Sequence, residues 1–155
     1  MRRNTRKGVR VTEKGNIMKK KPKNTPTFHY HNENPFGKKT GDCSYRAIGL
    51  ATGFGWNKAA VTVALWMVKT GQTLSSGVEV DSCMKEFGNW VKHPMPKHPD
   101  GTRYTIEQLI KEVKKEKNPV LVSCANHLTV IKGGKIWDTW NCGYKCVGNY
   151  WTLEQ

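Results

Sequence analysis

The sequence has no long apolar segment. No stretch of about 18 residues is apolar throughout, which is the length that a membrane-spanning helix needs. The N-terminus also has no apolar core of the kind found in secretory signals. The sequence therefore predicts neither a membrane span nor export, and we expect a soluble, intracellular chain with no membrane partner.

Acidic residues are scarce, at 12 Asp and Glu against 26 Lys and Arg in 155 residues. Ten of the fourteen net positive charges lie in residues 1–40, and no aromatic residue precedes Phe28. We predict that residues 1–27 form a basic, disordered tail and that residues 28–155 form one domain. The tail suggests weak, nonspecific nucleic-acid contact. A non-enzymatic, basic nucleic-acid-binding module is one alternative function, although the rest of the chain is nearly balanced in charge.

A cysteine framework typical of small secreted domains is also missing. The chain has five cysteines, an odd number, at spacings that match no such framework. Free thiols are therefore expected, and each thiol becomes a candidate for chemistry.

The first two thirds of the chain carry helical patterns. Asp42 is a candidate N-cap for a helix from Cys43 to about Thr52, which Gly53 ends. Thr105 and Gln108 form a capping-box pair ahead of a fourth amphipathic helix. The other predicted helices are a long one over 57–71 and a shorter one over 77–88. The prolines of 91–101, "VKHPMPKHPDG", predict a loop.

The last third is β-branched and apolar, with Gly133 and Gly134 as a two-residue hairpin turn. This turn pairs Ile131 with Ile136 and brings Asp138 diagonally opposite His127. One face of the hairpin then carries His127, Thr129, Ile131, Ile136, Asp138 and Trp140. A final strand is expected at "VGNYWTL", over 147–153. The predicted fold class is α+β, with N-terminal helices packed on a C-terminal antiparallel sheet.

Cys43, His127 and Asp138 together suit nucleophilic catalysis. A reactive cysteine needs a stabilised thiolate, which a helix N-terminus and a neighbouring imidazolium provide. The imidazole in turn needs a third group that fixes its orientation. The sequence therefore predicts a Cys–His–Asp triad that forms a thioester on Cys43 and acts on a peptide, an isopeptide or a small amide. No cofactor and no metal ion are expected for this chemistry.

Four further residues are candidates for supporting roles. The side-chain amide of Asn34 or Asn32 is a candidate oxyanion donor beside the backbone N–H of Cys43. Arg46 lies one helical turn after Cys43, where it could bind a substrate carboxylate or pair with Asp42. Trp140 shares the hairpin face of His127, where it is placed to shield the site or contact substrate.

A structural zinc site is the other alternative. Cys124 and His127 are followed by Cys142 and Cys146, which are ligand types and spacings compatible with tetrahedral zinc. Such a site would tie the hairpin to the last strand, and it would leave Cys43 without a role.

Two segments carry a resemblance to a known family. Residues 34–56, "NPFGKKTGDCSYRAIGLATGFGW", and residues 127–151, "HLTVIKGGKIWDTWNCGYKCVGNYW", resemble small papain-like cysteine peptidase-type proteins of bacteriophages and Gram-positive prophages. The shared pattern is Asn-Pro, then Gly-Asp-Cys, then Arg-Ala-Ile, and the resemblance covers about residues 34–151.

The resemblance implies a papain-like fold in which the cysteine heads the first core helix. It implies Cys43 as nucleophile, His127 as base and Asp138 as orienting acid, in the cytosol of a bacterium or an infected host. The chain differs from papain itself six residues before the cysteine, where Gly37 stands in place of a glutamine.

Overall fold

The computed structural model describes residues 20–155 as helices around one six-stranded sheet. The helices are α1 (Cys43–Thr52), α2 (Gly55–Thr70), α3 (Gly77–Met84) and α4 (Ile106–Glu112). The strands are β1 (Phe28–Tyr30), β2 (Trp90–His93), β3 (Val120–Cys124), β4 (His127–Lys132), β5 (Lys135–Asp138) and β6 (Tyr150–Leu153). The four predicted helical segments and the hairpin are therefore confirmed.

The sheet is mixed, which differs from the prediction. Its strand order is β1-β5-β4-β3-β6-β2, and β1 runs parallel to β5 whereas the other neighbours are antiparallel. The predicted antiparallel C-terminal sheet is correct for β3 to β6. Two strands from earlier in the chain extend it at both edges, so the fold class is α+β with a mixed sheet.

The hairpin register is the predicted one. Ile131 pairs with Ile136 and Val130 pairs with Trp137. Gly133 and Gly134 have φ values of 56° and 74°, the left-handed conformation that a type I′ turn requires. Because the turn fixes the register, His127 and Asp138 lie on neighbouring strands at the same end of the sheet.

The predicted loop over 91–101 is wrong at its start. Trp90–His93 forms β2 and pairs with β6, with Val91 opposite Thr152. Pro94 favours an extended conformation in the residue before it, which suits a strand as well as a loop. Trp90 is buried, so its packing against the core decides between the two.

Both faces of the sheet are covered. Helices α1, α2 and α3 pack on one face, around the fully buried Trp66 and Trp151. Helix α4 packs on the opposite face through Ile106, Leu109 and Ile110. Successive residues of β3 alternate between these two cores, and the rigid scaffold fixes the ends of α1 and β4 relative to each other.

The described part of the N-terminal segment contacts the domain. The Asn24 side chain accepts a hydrogen bond from the Tyr30 N–H at 2.6 Å, and the Thr27 carbonyl accepts one from the Ile136 N–H at 2.8 Å. The disorder predicted for the rest of the tail concerns residues 1–19, which lie outside the described residues. No helix within residues 20–155 is both long and apolar enough to cross a bilayer.

Gly49 lies where the backbones of α1 and α2 approach each other closely. A Cβ there would lie 2.7 Å from the Gly55 carbonyl carbon and 2.9 Å from the Trp56 nitrogen, both backbone atoms. Contacts this short cannot be relieved by a side-chain rotation.

Gly49→Ala should therefore destabilise the protein by about 1–3 kcal/mol, even though alanine favours a helix by about 1 kcal/mol over glycine. Thermal melting followed by circular dichroism should show a decrease of several degrees. Gly41→Ala is the control, because a Cβ on Gly41 meets no atom within 4 Å. Equal melting temperatures for the two variants would contradict this packing.

Candidate active site

Cys43 lies at the N-terminus of α1 and is partly exposed. The backbone N–H groups of the first turn have no carbonyl partner within the helix, so they present positive partial charge to the thiol. Asp42 occupies the predicted N-cap position, but its carboxylate makes no capping hydrogen bond. The cap prediction is wrong for the side chain, and the first-turn N–H groups remain available.

His127 is the first residue of β4, and its side chain is only 10% exposed. Its Nε2 lies 2.6 Å from Asp138 Oδ2. The other ring nitrogen, Nδ1, is thus left for Cys43, whose thiol lies in the same cleft lining and close enough for each group to shift the pKa of the other. The structure brings the three predicted residues together in the order cysteine, histidine, aspartate.

The second carboxylate oxygen of Asp138 is held separately. Its Oδ1 accepts hydrogen bonds from Arg46 Nη1 at 2.9 Å and from the Thr139 N–H at 2.7 Å. Arg46 Nε donates to Asp42 Oδ1 at 2.9 Å, so one guanidinium bridges two buried acids. Of the two roles considered for Arg46, the structure shows the ion pair with Asp42 and adds a second one with Asp138.

Asp42 organises the residues around α1. Its Oδ2 accepts hydrogen bonds from Asn34 Nδ2 at 2.9 Å and from Trp56 Nε1 at 2.8 Å. These contacts join the segment before α1 and the first turn of α2 to the start of α1. Burial raises the pKa of Asp42, but the hydrogen bonds from Asn34, Arg46 and Trp56 outweigh burial and lower it.

The two predicted oxyanion asparagines have partners elsewhere. Asn34 is buried, donates to Asp42, and accepts from the Phe36 N–H at 2.9 Å. Asn32 donates to the Lys38 carbonyl at 3.0 Å. Among the described residues, neither lines the cleft beside Cys43. The contacts of both amides thus shape the loop before α1.

The pKa shifts favour transfer of the Cys43 proton to His127. The hydrogen bond with His127 is the largest influence on the thiol and lowers its pKa from the ordinary 9.0. Burial alone would lower the pKa of His127, but its hydrogen bonds with Asp138 and Cys43 outweigh burial and raise the pKa to about 9. Both directions favour a thiolate–imidazolium pair of the kind that cysteine nucleophiles use.

A cleft of about 320 Å³ opens beside the Cys43 thiol. Its lining combines apolar residues with serines and contains no Asp, Glu, Lys or Arg. His127 is its one basic side chain. The lining residues beyond the triad include Leu74, Ser76, Val80, Ser123, Asn126 and Leu128. The cleft therefore suits an uncharged group.

Trp140 packs beside the histidine, as its position on the hairpin face predicts. Its ring centroid lies 4.9 Å from that of His127 and 6.5 Å from that of Tyr144. The indole is thus one of the groups packed around the imidazole, whose side chain is only 10% exposed.

The predicted four-ligand zinc site is not assembled. Cys146 is exposed, and the group of potential ligands that the described residues bring together is His127, Asp138 and Cys142, with their ligand atoms within 4.8 Å of one another. Two ligands of a tetrahedral zinc ion lie roughly 3.3 Å apart, given Zn–N and Zn–O distances near 2.0 Å. The His127–Asp138 contact of 2.6 Å is shorter than that and is the distance of a hydrogen bond.

Asn126 is a cleft residue that the sequence analysis missed. It lies in the turn between β3 and β4 with a φ of 52°, and it is the sole non-glycine residue with positive φ within residues 20–155. Asparagine tolerates this conformation better than most residues, so the "AN" before His127 was the available signal. No local sequence pattern predicts that residues 74–80 form a wall of the cleft, because their position depends on how α3 packs against the sheet.

Cys43 should be the first thiol to be alkylated by limiting iodoacetamide near neutral pH. Cys124 also has a lowered pKa, about 7, but its burial protects it from the reagent. Burial raises the pKa of Cys83 to about 12, so that thiol stays protonated. His127→Ala should slow the alkylation of Cys43 about tenfold for each unit by which its pKa returns to the ordinary value.

Peptide mapping can measure this, because trypsin places each of the five cysteines in its own peptide. The exposed Cys146 is the internal reference, and its rate should not change in His127→Ala. Faster alkylation of Cys146 than of Cys43 in the parent protein would contradict the assignment of the nucleophile.

Comparisons of this chain with models of protein families, with curated proteins and with solved structures give no match.

Proposed function

We propose that this protein is a cysteine-dependent acyl hydrolase or acyltransferase that acts on a peptide, an isopeptide or a small amide. The observation that carries the proposal is that Cys43 lies beside His127 in the lining of one cleft, and that His127 Nε2 lies 2.6 Å from Asp138 Oδ2. A Cys–His–Asp group with its cysteine at a helix N-terminus and its aspartate buried has the groups that acyl transfer requires, namely a nucleophile, a proton carrier and an orienting acid.

In the first step, the Cys43 thiolate attacks the acyl carbonyl carbon. The tetrahedral intermediate carries negative charge on its oxygen, which the Cys43 backbone N–H at the start of α1 is placed to stabilise. The carbon–nitrogen bond then breaks, and the imidazolium of His127 gives its proton to the leaving amine. The acyl group stays on Cys43 as a thioester.

In the second step, neutral His127 takes a proton from the acceptor, which is water for hydrolysis or an amine or a thiol for transfer. The acceptor attacks the thioester carbon, and Cys43 leaves as the thiolate. Throughout both steps, Asp138 holds the imidazole in the tautomer that directs Nδ1 at Cys43 and stabilises its positive form.

We further propose that the chain is a relative of the small papain-like cysteine peptidase-type proteins of bacteriophages. Two features support the proposal. Gly41 and Asp42 directly precede α1, Cys43 begins it and Arg46-Ala47-Ile48 lie within it. The histidine and the acid lie on adjacent antiparallel strands β4 and β5. Both agree with what the resemblance implies.

Substitutions along the triad should give graded losses. His127→Ala removes the proton carrier and should slow the acylation of Cys43 by about 10²–10⁴-fold. Asp138→Asn should keep part of the activity, because its amide oxygen can still accept a hydrogen bond from the ring, and Asp138→Ala should lose more. The measurement is the burst rate with an activated ester, with circular dichroism to confirm folding.

His98→Ala is the matched control, because His98 is hydrogen-bonded to Gln108 and stands outside the cleft lining. Its acylation rate should equal that of the parent protein. Parent-like acylation in a folded His127→Ala variant would contradict the proposal.

The acylation rate should follow a bell-shaped pH profile. The rate should rise as the Cys43 thiol ionises, which happens below pH 9.0 because the pKa of this thiol is lowered from its ordinary value. It should fall near pH 9, where His127 loses its proton. With an amide substrate, the alkaline limb belongs to proton donation to the leaving group. A profile that keeps rising above pH 10 would show that His127 donates no proton.

A further inference from the structure

Helix α2 has two apolar stripes, and the core covers only one of them. The buried stripe is made of Ala59, Val63 and Trp66. The exposed stripe is made of Val61, Leu65 and Val68, which are 58%, 63% and 85% exposed. Each of these residues follows a member of the buried stripe by two positions. Because successive residues of a helix are about 100° apart, the exposed stripe lies on the opposite side of α2, where polar residues are usual.

Two exposed phenylalanines extend this apolar face. Phe54 precedes α2, lies two helical turns before Val61 on the same side, and is 37% exposed. Phe36 is 73% exposed, in the turn before α1. This turn is tied to the start of α2, because Asn34 and Trp56 donate to the same oxygen of Asp42, at 2.9 and 2.8 Å. The two phenylalanines and the exposed stripe are together called the α2 surface.

The exposed cations around the α2 surface are all lysines. They are Lys38, Lys39, Lys58 and Lys69. Lys58 Nζ lies 4.1 Å from the ring centroid of Phe54, and Lys69 pairs with Glu86 at 2.9 Å. Asp42 is the one acidic residue within residues 34–78, and it is buried. The α2 surface is therefore both apolar and basic.

These charges argue against cover by the chain itself. A second copy docked antiparallel would bring the Lys58 end of one α2 against the Lys69 end of the other, and each chain carries a net charge of +14. Residues 1–19 contain seven Lys and Arg against one acid, Glu13, so the same repulsion acts on that segment. The occupant that complements the α2 surface is apolar and anionic.

The type of cation favours lipid over protein as this occupant. Protein interfaces are enriched in arginine and depleted in lysine, the reverse of what surrounds the α2 surface. The surface is also convex, since its side chains project from one helix and one turn, and none of them lines the cleft beside Cys43. A helix that lies on a membrane has this composition, with an apolar face that enters the headgroup region and lysines that reach anionic headgroups.

We propose that the α2 surface docks this protein on an anionic lipid membrane. The inference goes beyond the proposed acyl transfer and does not depend on it. The expectation of no membrane partner rests on the absence of a spanning segment from the sequence. A helix that lies on the membrane needs no such segment, because one exposed apolar face is enough.

The test is flotation of the full chain with two kinds of vesicle, pure phosphatidylcholine and a three-to-one mixture of phosphatidylcholine and phosphatidylserine. The protein should bind the mixed vesicles more tightly. Because a basic chain is attracted to them by charge alone, the decisive variant combines Leu65→Ser with Val68→Ser, which removes apolar area and no charge. Its partition coefficient for the mixed vesicles should be lower by about tenfold or more.

Tyr144→Ser is the matched control. Tyr144 is 68% exposed, and it follows Gly143, whose carbonyl accepts a hydrogen bond from the Glu107 N–H of α4. Tyr144 thus lies on the α4 side of the sheet, away from α2. Its variant should bind the mixed vesicles as the parent does. Circular dichroism checks that both variants fold.

Equal binding of the parent and the Leu65→Ser/Val68→Ser variant to mixed vesicles would overturn the proposal, because charge alone would then account for binding. Equal binding of the parent to the two kinds of vesicle, or no binding to either, would overturn it as well. In the last case, a parent dimer that the double variant loses in size-exclusion chromatography with light scattering would identify a second copy as the occupant, and a monomer would point to an acidic protein. None of these readouts involves the Cys43 thiol, so the acyl-transfer proposal is tested separately.

Discussion

The structure around the candidate site depends on the buried carboxylate of Asp138. It is 3% exposed, and a buried charge is costly unless cations and donors surround it. Burial raises the pKa of Asp138, but the hydrogen bond with His127 and the positive charge of the imidazolium outweigh burial, so the pKa is lowered. Arg46 holds the other oxygen. Removal of one partner from a buried pair of this kind typically costs about 3–5 kcal/mol, so the same contact secures both the fold and the orientation of the imidazole.

Arg46 extends this constraint to α1, the helix that carries the candidate nucleophile Cys43. It lies one turn after Asp42 on α1 and reaches Asp138 at the end of β5, so a single guanidinium fixes the N-terminus of α1 against the hairpin. Asp42 adds the contacts with Asn34 and Trp56. Through these ion pairs, Asp42, Arg46 and Asp138 hold the start of α1, and with it Cys43, beside His127. The residues next to the cysteine in the sequence are thus the framework of the site.

Local patterns predicted much of this arrangement. The glycine pair fixed the hairpin register, and the register alone placed Asp138 within reach of His127. Contacts between distant segments were not predictable in the same way. Asp42 matched the local rule for an N-cap, but Arg46 and Trp56 compete for its carboxylate. The β2 strand was not predicted, because the prolines that follow it favour a loop. Cys124, Cys142 and Cys146 matched a zinc spacing, yet the fold groups only Cys142 of these with His127 and supplies Asp138 instead.

The central claim is that Cys43, His127 and Asp138 act as one unit in which the proton resides on the imidazole. The most direct test is a pH titration of the His127 ring nitrogens by ¹⁵N NMR, with the signal assigned by its loss in His127→Ala. The account predicts an imidazolium that persists to a pKa of about 9, raised by Asp138 and the Cys43 thiolate, and that titrates at lower pH in Cys43→Ser. A His127 that titrates near its ordinary 6.5 in the parent protein, unchanged in Cys43→Ser, would contradict the claim.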